Sequence, residues 1–152
     1  GMGQHGTAFE HRGVKTGPAI CYEGLYGDFF GDFVRRGAQF MAIISNDGWW
    51  GDTPGYKHLF TISRLRAIEH RRAIARSANT GMSGFISARG DIGETLGWEK
   101  RGVISAAVPL NSELTFYTRY GDYLGRIAEY LTLLCVLYYI AYRVKRENYL
   151  VK

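Results

Sequence analysis

Two apolar stretches of strand length, with an amphipathic stretch between them, constrain the fold most strongly. Residues Val14–Cys21 are small and largely apolar and predict a buried strand, and Phe40–Ile44 is a continuous apolar run that is typical of a strand buried on both faces. Between them, apolar residues recur at helical spacing over Leu25–Arg36. This order predicts a βαβ unit with parallel strands and therefore an α/β fold.

A cysteine marks the point where the first strand ends and the helix is about to begin. A sharp turn there lifts the side chain of Cys21 out of the sheet and aims it past the helix N-terminus, where N–H groups and the helix dipole favour negative charge. That position favours a nucleophilic thiolate, and the same N–H groups can hold an oxyanion. A small buried cysteine that only closes a strand is the structural alternative.

A loop with two consecutive tryptophans follows the second strand. Residues 45–55 are rich in Gly and Asp and include Trp49 and Trp50. Because ligands bind beyond the carboxyl ends of parallel strands, we expect this loop to lie on the same edge as Cys21. We predict an apolar wall beside the nucleophile, suited to an acyl chain. The alternative is that one tryptophan anchors the loop and the other packs on top of it.

The middle of the chain predicts a long helix and a set of short strands. The helix is expected over Tyr56–Ala75, with Arg72 on its outer face and an ion pair between Glu69 and a neighbouring arginine. Strands are expected over 83–87 and 102–108, as a hairpin-rich edge that continues the sheet.

The last part of the sequence changes character. Residues 130–142 carry no charge, and the apolar run extends back to Leu124 if Arg126 and Glu129 are admitted. We therefore predict a transmembrane helix over 123–146. By the positive-inside rule, the basic cluster at its end places the C-terminus in the cytoplasm and Cys21 outside. This cluster is Arg143, Lys145 and Arg146. A buried core helix, or one that docks on a partner helix, is the alternative.

Composition excludes several other classes of protein. The net charge of +5 comes from 19 basic and 14 acidic residues, without the long basic patch or motif of a nucleic-acid-binding protein. Two cysteines do not make a disulfide framework, and the four histidines are scattered without metal-ligand spacing. We therefore predict no nucleic-acid partner, no metal and no cofactor.

Several motifs in a fixed order resemble a known family. They resemble the nitrilase superfamily and, within it, the carboxyl-terminal part of the apolipoprotein N-acyltransferases, from about Val14 to Tyr142. The motifs are Ile20-Cys21-Tyr22-Glu23, Ser45-Asn46-Asp47 with Trp49-Trp50-Gly51, Arg66-Ala67-Ile68-Glu69, Arg76-Ser77-Ala78-Asn79-Thr80-Gly81 and Thr115–Asp122.

The resemblance implies a fold, a reaction and a location. The fold is part of an α-β-β-α sandwich followed by a transmembrane helix, in the bacterial inner membrane with the catalytic part facing the periplasm. A fatty-acyl group passes from a phospholipid to a cysteine thioester, and then to the N-terminal amine of a diacylglyceryl-cysteine apolipoprotein. By motif, Cys21 is the nucleophile, the backbone N–H of Tyr22 helps to hold the oxyanion, and Glu23 supports the site. Trp49 and Trp50 match the aromatic pair beside the acyl site.

Two groups that the family needs are missing from this sequence. The general-base glutamate and the lysine of the family's triad lie on strands upstream of the cysteine strand. Lys15 and Glu10 are poor substitutes, because Lys15 opens the nucleophile's own strand and Glu10 lies in the N-terminal arm. A cysteine without its base is only a few per cent thiolate at neutral pH, so we predict that the chain alone is inactive.

The sequence leaves two other functions open. One is a soluble nitrilase-like amidase that hydrolyses small carbon–nitrogen bonds with the same cysteine. The other is a non-enzymatic fragment that self-associates through unpaired sheet edges. For the acyltransferase, the predicted segments are a loose arm (1–12), the C-terminal part of a catalytic domain (13–122), a transmembrane helix (123–146) and a cytoplasmic tail (147–152).

Overall fold

The computed structural model describes residues 5–150. The chain divides into two compact units, with the boundary between residues 121 and 122. The first unit contains a six-stranded sheet in which the strands follow one another in chain order. Its strands are β1 (Phe9–His11), β2 (Val14–Ile20), β3 (Phe40–Ser45), β4 (Ile74–Ala78), β5 (Ser83–Ile86) and β6 (Ile92–Leu96). Its helices are α1 (Gly27–Arg35), α2 (Pro54–His70) and α3 (Phe116–Tyr120).

The centre of the sheet is parallel and its flanks are antiparallel. β2 pairs with β3 and β3 with β4 in parallel, with Ala19 opposite Ile43 and Ile43 opposite Arg76. The pairs β4–β5 and β5–β6 are antiparallel, as is β1–β2. The predicted α/β class and the parallel strand–helix–strand unit are therefore confirmed.

Helices cover one face of the sheet. Successive side chains of a strand point to opposite faces, so Met41 and Ile43 enter the core while Ile44, 55% exposed, faces the other way. The expectation that β3 is buried on both faces is therefore wrong for this chain, because α1 and α2 lie on one face. The core consists of Ala19, Phe30, Phe33, Val34, Ala38, Met41, Ile43, Phe60, Ala67, Ile74 and Ile86.

The helix α2 is shorter than its periodicity predicts. It ends at His70, and Arg71 adopts a left-handed conformation with φ of 51° that reverses the chain before β4 begins. Arg72 was expected on an outer face but is fully buried, where its Nε donates to the carbonyl of Ala38 at 2.7 Å. A buried guanidinium is tolerated because carbonyl groups replace its water.

Two further expectations fail in the first unit. The strand predicted over 102–108 does not form: this segment pairs with no strand among the described residues, and Val103 is 95% exposed. The predicted loose arm instead contains β1, whose Glu10 lies opposite Lys15 of β2. Residues 1–4 of that arm lie outside the described residues.

The second unit is a single helix, α4 (Tyr123–Leu150), over the described residues. Its segment Tyr123–Arg143 is long and apolar enough to cross a membrane, with a mean hydropathy of 1.4 over the best window. The predicted span 123–146 lies within α4, and crossing of a membrane stays a prediction. Of the predicted tail, residues 151 and 152 lie outside the described part of the chain.

Candidate active site

Cys21 lies on a sharp turn at the carboxyl end of β2. It opens a short 3-10 turn, Cys21–Leu25, and its φ is +50°, a left-handed conformation that is uncommon outside glycine and costs about 1 kcal/mol or more. Strain of this kind is typical of functional sites. The side chain is partly exposed, so the strand-end cysteine is not sealed in the core.

The carboxylate of Glu23 holds this turn in place. Its Oε2 accepts a hydrogen bond from the backbone N–H of Ile20 at 2.7 Å, and this bond joins the residues on either side of Cys21 and Tyr22. Glu23 therefore shapes the backbone that presents Cys21. The side chain of Tyr22 is 47% exposed on the same turn. A catalytic role for Glu23 stays a prediction, as does binding of the oxyanion by the backbone N–H of Tyr22.

The two tryptophans occupy different environments in the loop after β3. Trp49 is 80% exposed, whereas Trp50 is 38% exposed and its ring packs closely against Gly55 in the first turn of α2. Thr53 Oγ1 donates to the carbonyl of Trp50 at 2.7 Å and closes the loop. One tryptophan is thus anchored and the other presented to solvent. Their contact with an acyl chain stays a prediction.

A buried charge network lies directly behind Cys21. Ser45 Oγ, at the end of β3, lies 3.7 Å from Cys21 Sγ and donates to Asp47 Oδ1 at 2.5 Å. Arg76 of β4 forms a bidentate ion pair with Asp47, with both N···O distances at 3.1 Å. The side chain of Asp47 is fully buried, and Arg76 also donates to the carbonyl of Met82 at 2.7 Å.

The network confirms that the cysteine turn and the tryptophan loop share one edge of the sheet, because Ser45 opens that loop. Sequence reasoning assigned no role to Ser45, Asp47 or Arg76, although all three stand in motifs that carry the resemblance. For Ser45 and Asp47 the available signal was their position at the carboxyl end of a predicted parallel strand, whereas Arg76 lies in β4, a strand that the sequence pattern did not predict.

A second buried cluster contacts the start of α1. His70 donates through Nε2 to the carbonyl of Gly27 at 3.1 Å, and Arg66 forms the expected ion pair with Glu69 at 2.9 Å. The guanidinium of Arg66 and the hydroxyl of Tyr117 lie against Gly27, and a Cβ at this position would displace them. Burial, and then the charge of Glu69, raise the pKa of Tyr117.

The residues weighed as substitutes for the missing catalytic groups lie elsewhere. Lys15 Nζ is 3.7 Å from Glu10 Oε2, and both side chains are about half exposed. Lys15 precedes Cys21 by six residues of extended chain, which is about 20 Å. Within the described residues, no group of three or more His, Cys, Asp or Glu side chains could hold a metal ion.

Comparison with known proteins places the chain in a family. The model of the carbon-nitrogen hydrolase family matches residues 1–114. The apolipoprotein N-acyltransferase of Chlorobaculum tepidum is 42% identical over 118 residues, which are 78% of this chain and 22% of the relative. That of Rhizobium meliloti is 41% identical over 97 residues, 64% of this chain and 18% of the relative. The chain thus spans about a fifth of the length of these relatives.

A solved structure shows the same fold. Nit3 of Saccharomyces cerevisiae, a member of branch 10 of the nitrilase superfamily, matches with a TM-score of 0.57 at 21% identity, covering 65% of this chain and 39% of that one. The predicted nitrilase-like sheet and the similarity to part of the apolipoprotein N-acyltransferases are therefore confirmed. Because the family model matches 114 of its 152 residues, the chain belongs to the carbon-nitrogen hydrolase family.

Proposed function

We propose that this chain carries the nucleophile of an N-acyltransferase that modifies apolipoproteins, and that Cys21 is that nucleophile. The observation that carries the proposal is the left-handed turn at Cys21, which lifts a partly exposed thiol out of the end of a parallel strand. The names of the relatives support the acyl-transfer reaction in preference to amide hydrolysis.

The reaction has two steps that share one thioester. In the first, the Cys21 thiolate attacks the ester carbonyl of a phospholipid, the C–O bond breaks, and the lysophospholipid oxygen takes a proton. In the second, the free amine of the diacylglyceryl-cysteine attacks the thioester, the C–S bond breaks, and the amine loses a proton as the amide forms. The N–H of Tyr22 helps to hold each oxyanion, and Glu23 keeps the turn in shape.

The acyl donor and the acceptor both belong to a membrane surface. The helix α4 supplies an apolar segment of the required length, and the basic cluster Arg143, Lys145 and Arg146 at its end favours a cytoplasmic C-terminus. The exposed ring of Trp49 is suited to contact with an acyl chain. On this basis the catalytic part faces the periplasm from the bacterial inner membrane, beside its phospholipid and lipoprotein substrates.

Acyl transfer requires more than this chain. The resemblance places the base and the lysine of the catalytic triad upstream of the cysteine strand, and the sheet has an open face on which Ile20 and Ile44 are each more than half exposed. The other layers of the sandwich would cover that face. Without them the chain is inactive. The outer edges of β1 and β6 pair with no other strand among residues 5–150 and favour self-association, which size-exclusion chromatography measures.

The test uses the complete parent protein, incubated with phospholipid vesicles and analysed by intact mass. We expect a fatty-acyl increment that maps to Cys21, disappears with hydroxylamine and is absent from Cys21→Ala. Cys135→Ala, which removes the other cysteine, is the matched control and should acylate normally. Acylation at another residue would refute the assignment of the nucleophile. Hydrolysis of small amides without acylation by phospholipid would instead favour the amidase.

A further inference from the structure

The hydroxyl of Ser45 stands between two groups that compete for its one proton. Asp47 Oδ1 is 2.5 Å away and Cys21 Sγ is 3.7 Å away. A carboxylate at short range is a much stronger acceptor than sulfur, so the proton of Ser45 points to Asp47. The lone pairs of Ser45 Oγ then remain for Cys21.

The neighbours of Asp47 keep that arrangement in place. Both carboxylate oxygens are engaged by Arg76, and the backbone N–H of Asp47 donates to Asn79 Oδ1 at 3.1 Å. Ser45, Asp47 and Arg76 are each at most 5% exposed, so water has little access to replace one of them. The carboxylate is therefore a fixed acceptor, and Ser45 has one stable orientation.

We propose that Ser45 is a positioning residue that accepts a hydrogen bond from the Cys21 S–H and so holds the nucleophile in its protonated form at rest. This inference rests on the proposed function, in which Cys21 is the nucleophile. Ser45 acts through the proton of the thiol and does not touch the substrate. Its hydroxyl fixes where Sγ lies and disfavours loss of the proton.

The arrangement has a consequence for activation. When the thiol proton leaves for a base outside this chain, the lone pairs of Ser45 face a negative sulfur. Because Asp47 Oδ1 keeps the hydroxyl proton, this repulsion is relieved when a cation approaches the sulfur. The resting site thus withholds the thiolate until a partner group arrives, which is a second reason for the inactivity of the chain alone.

The experiment measures the rate at which iodoacetamide alkylates Cys21 in the full chain, in detergent. Every variant carries Cys135→Ala, so that Cys21 is the one thiol of the sequence. Ser45→Val and Ser45→Thr form the matched pair, because they have nearly the same shape and differ in the hydroxyl. Ser45→Ala is a third variant, and circular dichroism checks that each one folds.

At about pH 7 we expect Ser45→Val to react about two- to fivefold faster than Ser45→Thr, which is the range set by one weak neutral hydrogen bond. At about pH 10, where ordinary thiols are ionised, the two rates should converge, because no thiol is left to stabilise. Ser45→Ala should follow Ser45→Val, and Ser45→Thr should follow the parent.

Three results would overturn the proposal. Equal rates at pH 7, or a slower rate for Ser45→Val, would show that the hydroxyl does not stabilise the thiol. A faster rate that persists at pH 10 would show that Ser45 only limits access of the reagent. Alkylation needs no substrate, so this outcome is independent of whether the parent protein transfers an acyl group.

Discussion

The Nδ1 atom of His70 lies 2.8 Å from the hydroxyl oxygen of Thr118, in a fully buried contact between α2 and α3. The other ring nitrogen donates to the carbonyl of Gly27, and in the neutral ring, which the low pKa of His70 favours, Nδ1 accepts from Thr118. One imidazole thereby joins α2, α3 and the first residue of α1. Burial first, and then the charge of Arg66, lower the pKa of His70 to about 3.

Acidification should therefore begin to weaken the fold at a higher pH than the one at which ordinary carboxylates titrate. The unfolded imidazole binds a proton near pH 6.5, whereas the folded one stays neutral down to about pH 3. Unfolding takes up a proton between these values, so the contribution of His70 is complete above pH 6.5 and is lost as the pH falls. We expect the free energy of unfolding to drop by up to about 1.4 kcal/mol per pH unit between about pH 6 and about pH 4.5.

Urea denaturation in detergent, followed by tryptophan fluorescence, measures this slope. His70→Gln should flatten it, because glutamine keeps a donor and an acceptor but does not titrate. His58→Gln is the matched control, since His58 is an exposed histidine on the same helix, and it should keep the slope. A slope that survives in His70→Gln would assign the pH dependence to other groups.

The buried pair of Asp47 and Arg76 should dominate the stability of the site. Asp47→Asn leaves the guanidinium of Arg76 buried without its counter-charge, and the free energy of unfolding should fall by about 3 kcal/mol or more. Glu10→Gln is the control, because its pair with Lys15 is half exposed and such pairs contribute about 0–1 kcal/mol. Equal losses in the two variants, measured by urea denaturation, would contradict a buried pair.

The strand–helix–strand unit could be predicted because each of its elements carries its own pattern. β2 and β3 are short apolar runs, and α1 has a regular apolar stripe that ends before Gly37, whose φ is +98°. Parallel pairing follows from the order of these elements. The same patterns predict the turn at Cys21 and the edge that it shares with the tryptophan loop.

The elements and residues that were missed depend on contacts that no local pattern carries. α2 ends because Arg71 adopts a left-handed conformation, although the apolar residues continue through Ile74. Arg72 and Arg76 are buried because carbonyl or carboxylate groups from distant strands and loops receive them. Charge alone indicates an exposed side chain, so their burial, and with it the network behind Cys21, could not be inferred from periodicity.

Substitutions of the two tryptophans should have different effects on the rate of acylation and on the stability of the fold. Trp49 is 80% exposed, so Trp49→Ala should change the free energy of unfolding by no more than about 0.5 kcal/mol. If its ring forms the apolar wall, the acylation of Cys21 in the parent protein should slow by about tenfold, the equivalent of about 1.4 kcal/mol of lost apolar contact.

Trp50→Ala should slow acylation too, but it should also lower the thermal midpoint, because that ring packs on Gly55. Intact mass against time gives the acylation rate, and circular dichroism gives the midpoint. Trp49→Phe, which keeps an aromatic ring, should recover most of the rate. Acylation of Trp49→Ala at the parent rate would remove Trp49 from the acyl site.

Gly81 should be intolerant of even one added methyl group. A Cβ at this position would lie 2.7 Å from Cγ of Asp47, a distance that real side chains do not adopt, so Gly81→Ala must displace the carboxylate that Arg76 and Ser45 hold. We expect a loss of about 1–3 kcal/mol in the free energy of unfolding, measured by urea denaturation. Gly97→Ala is the matched control, because no atom lies within 4 Å of its added Cβ. A Gly81→Ala protein as stable as the control would mean that Asp47 is not confined, and the fixed orientation of Ser45 would then lose its physical basis.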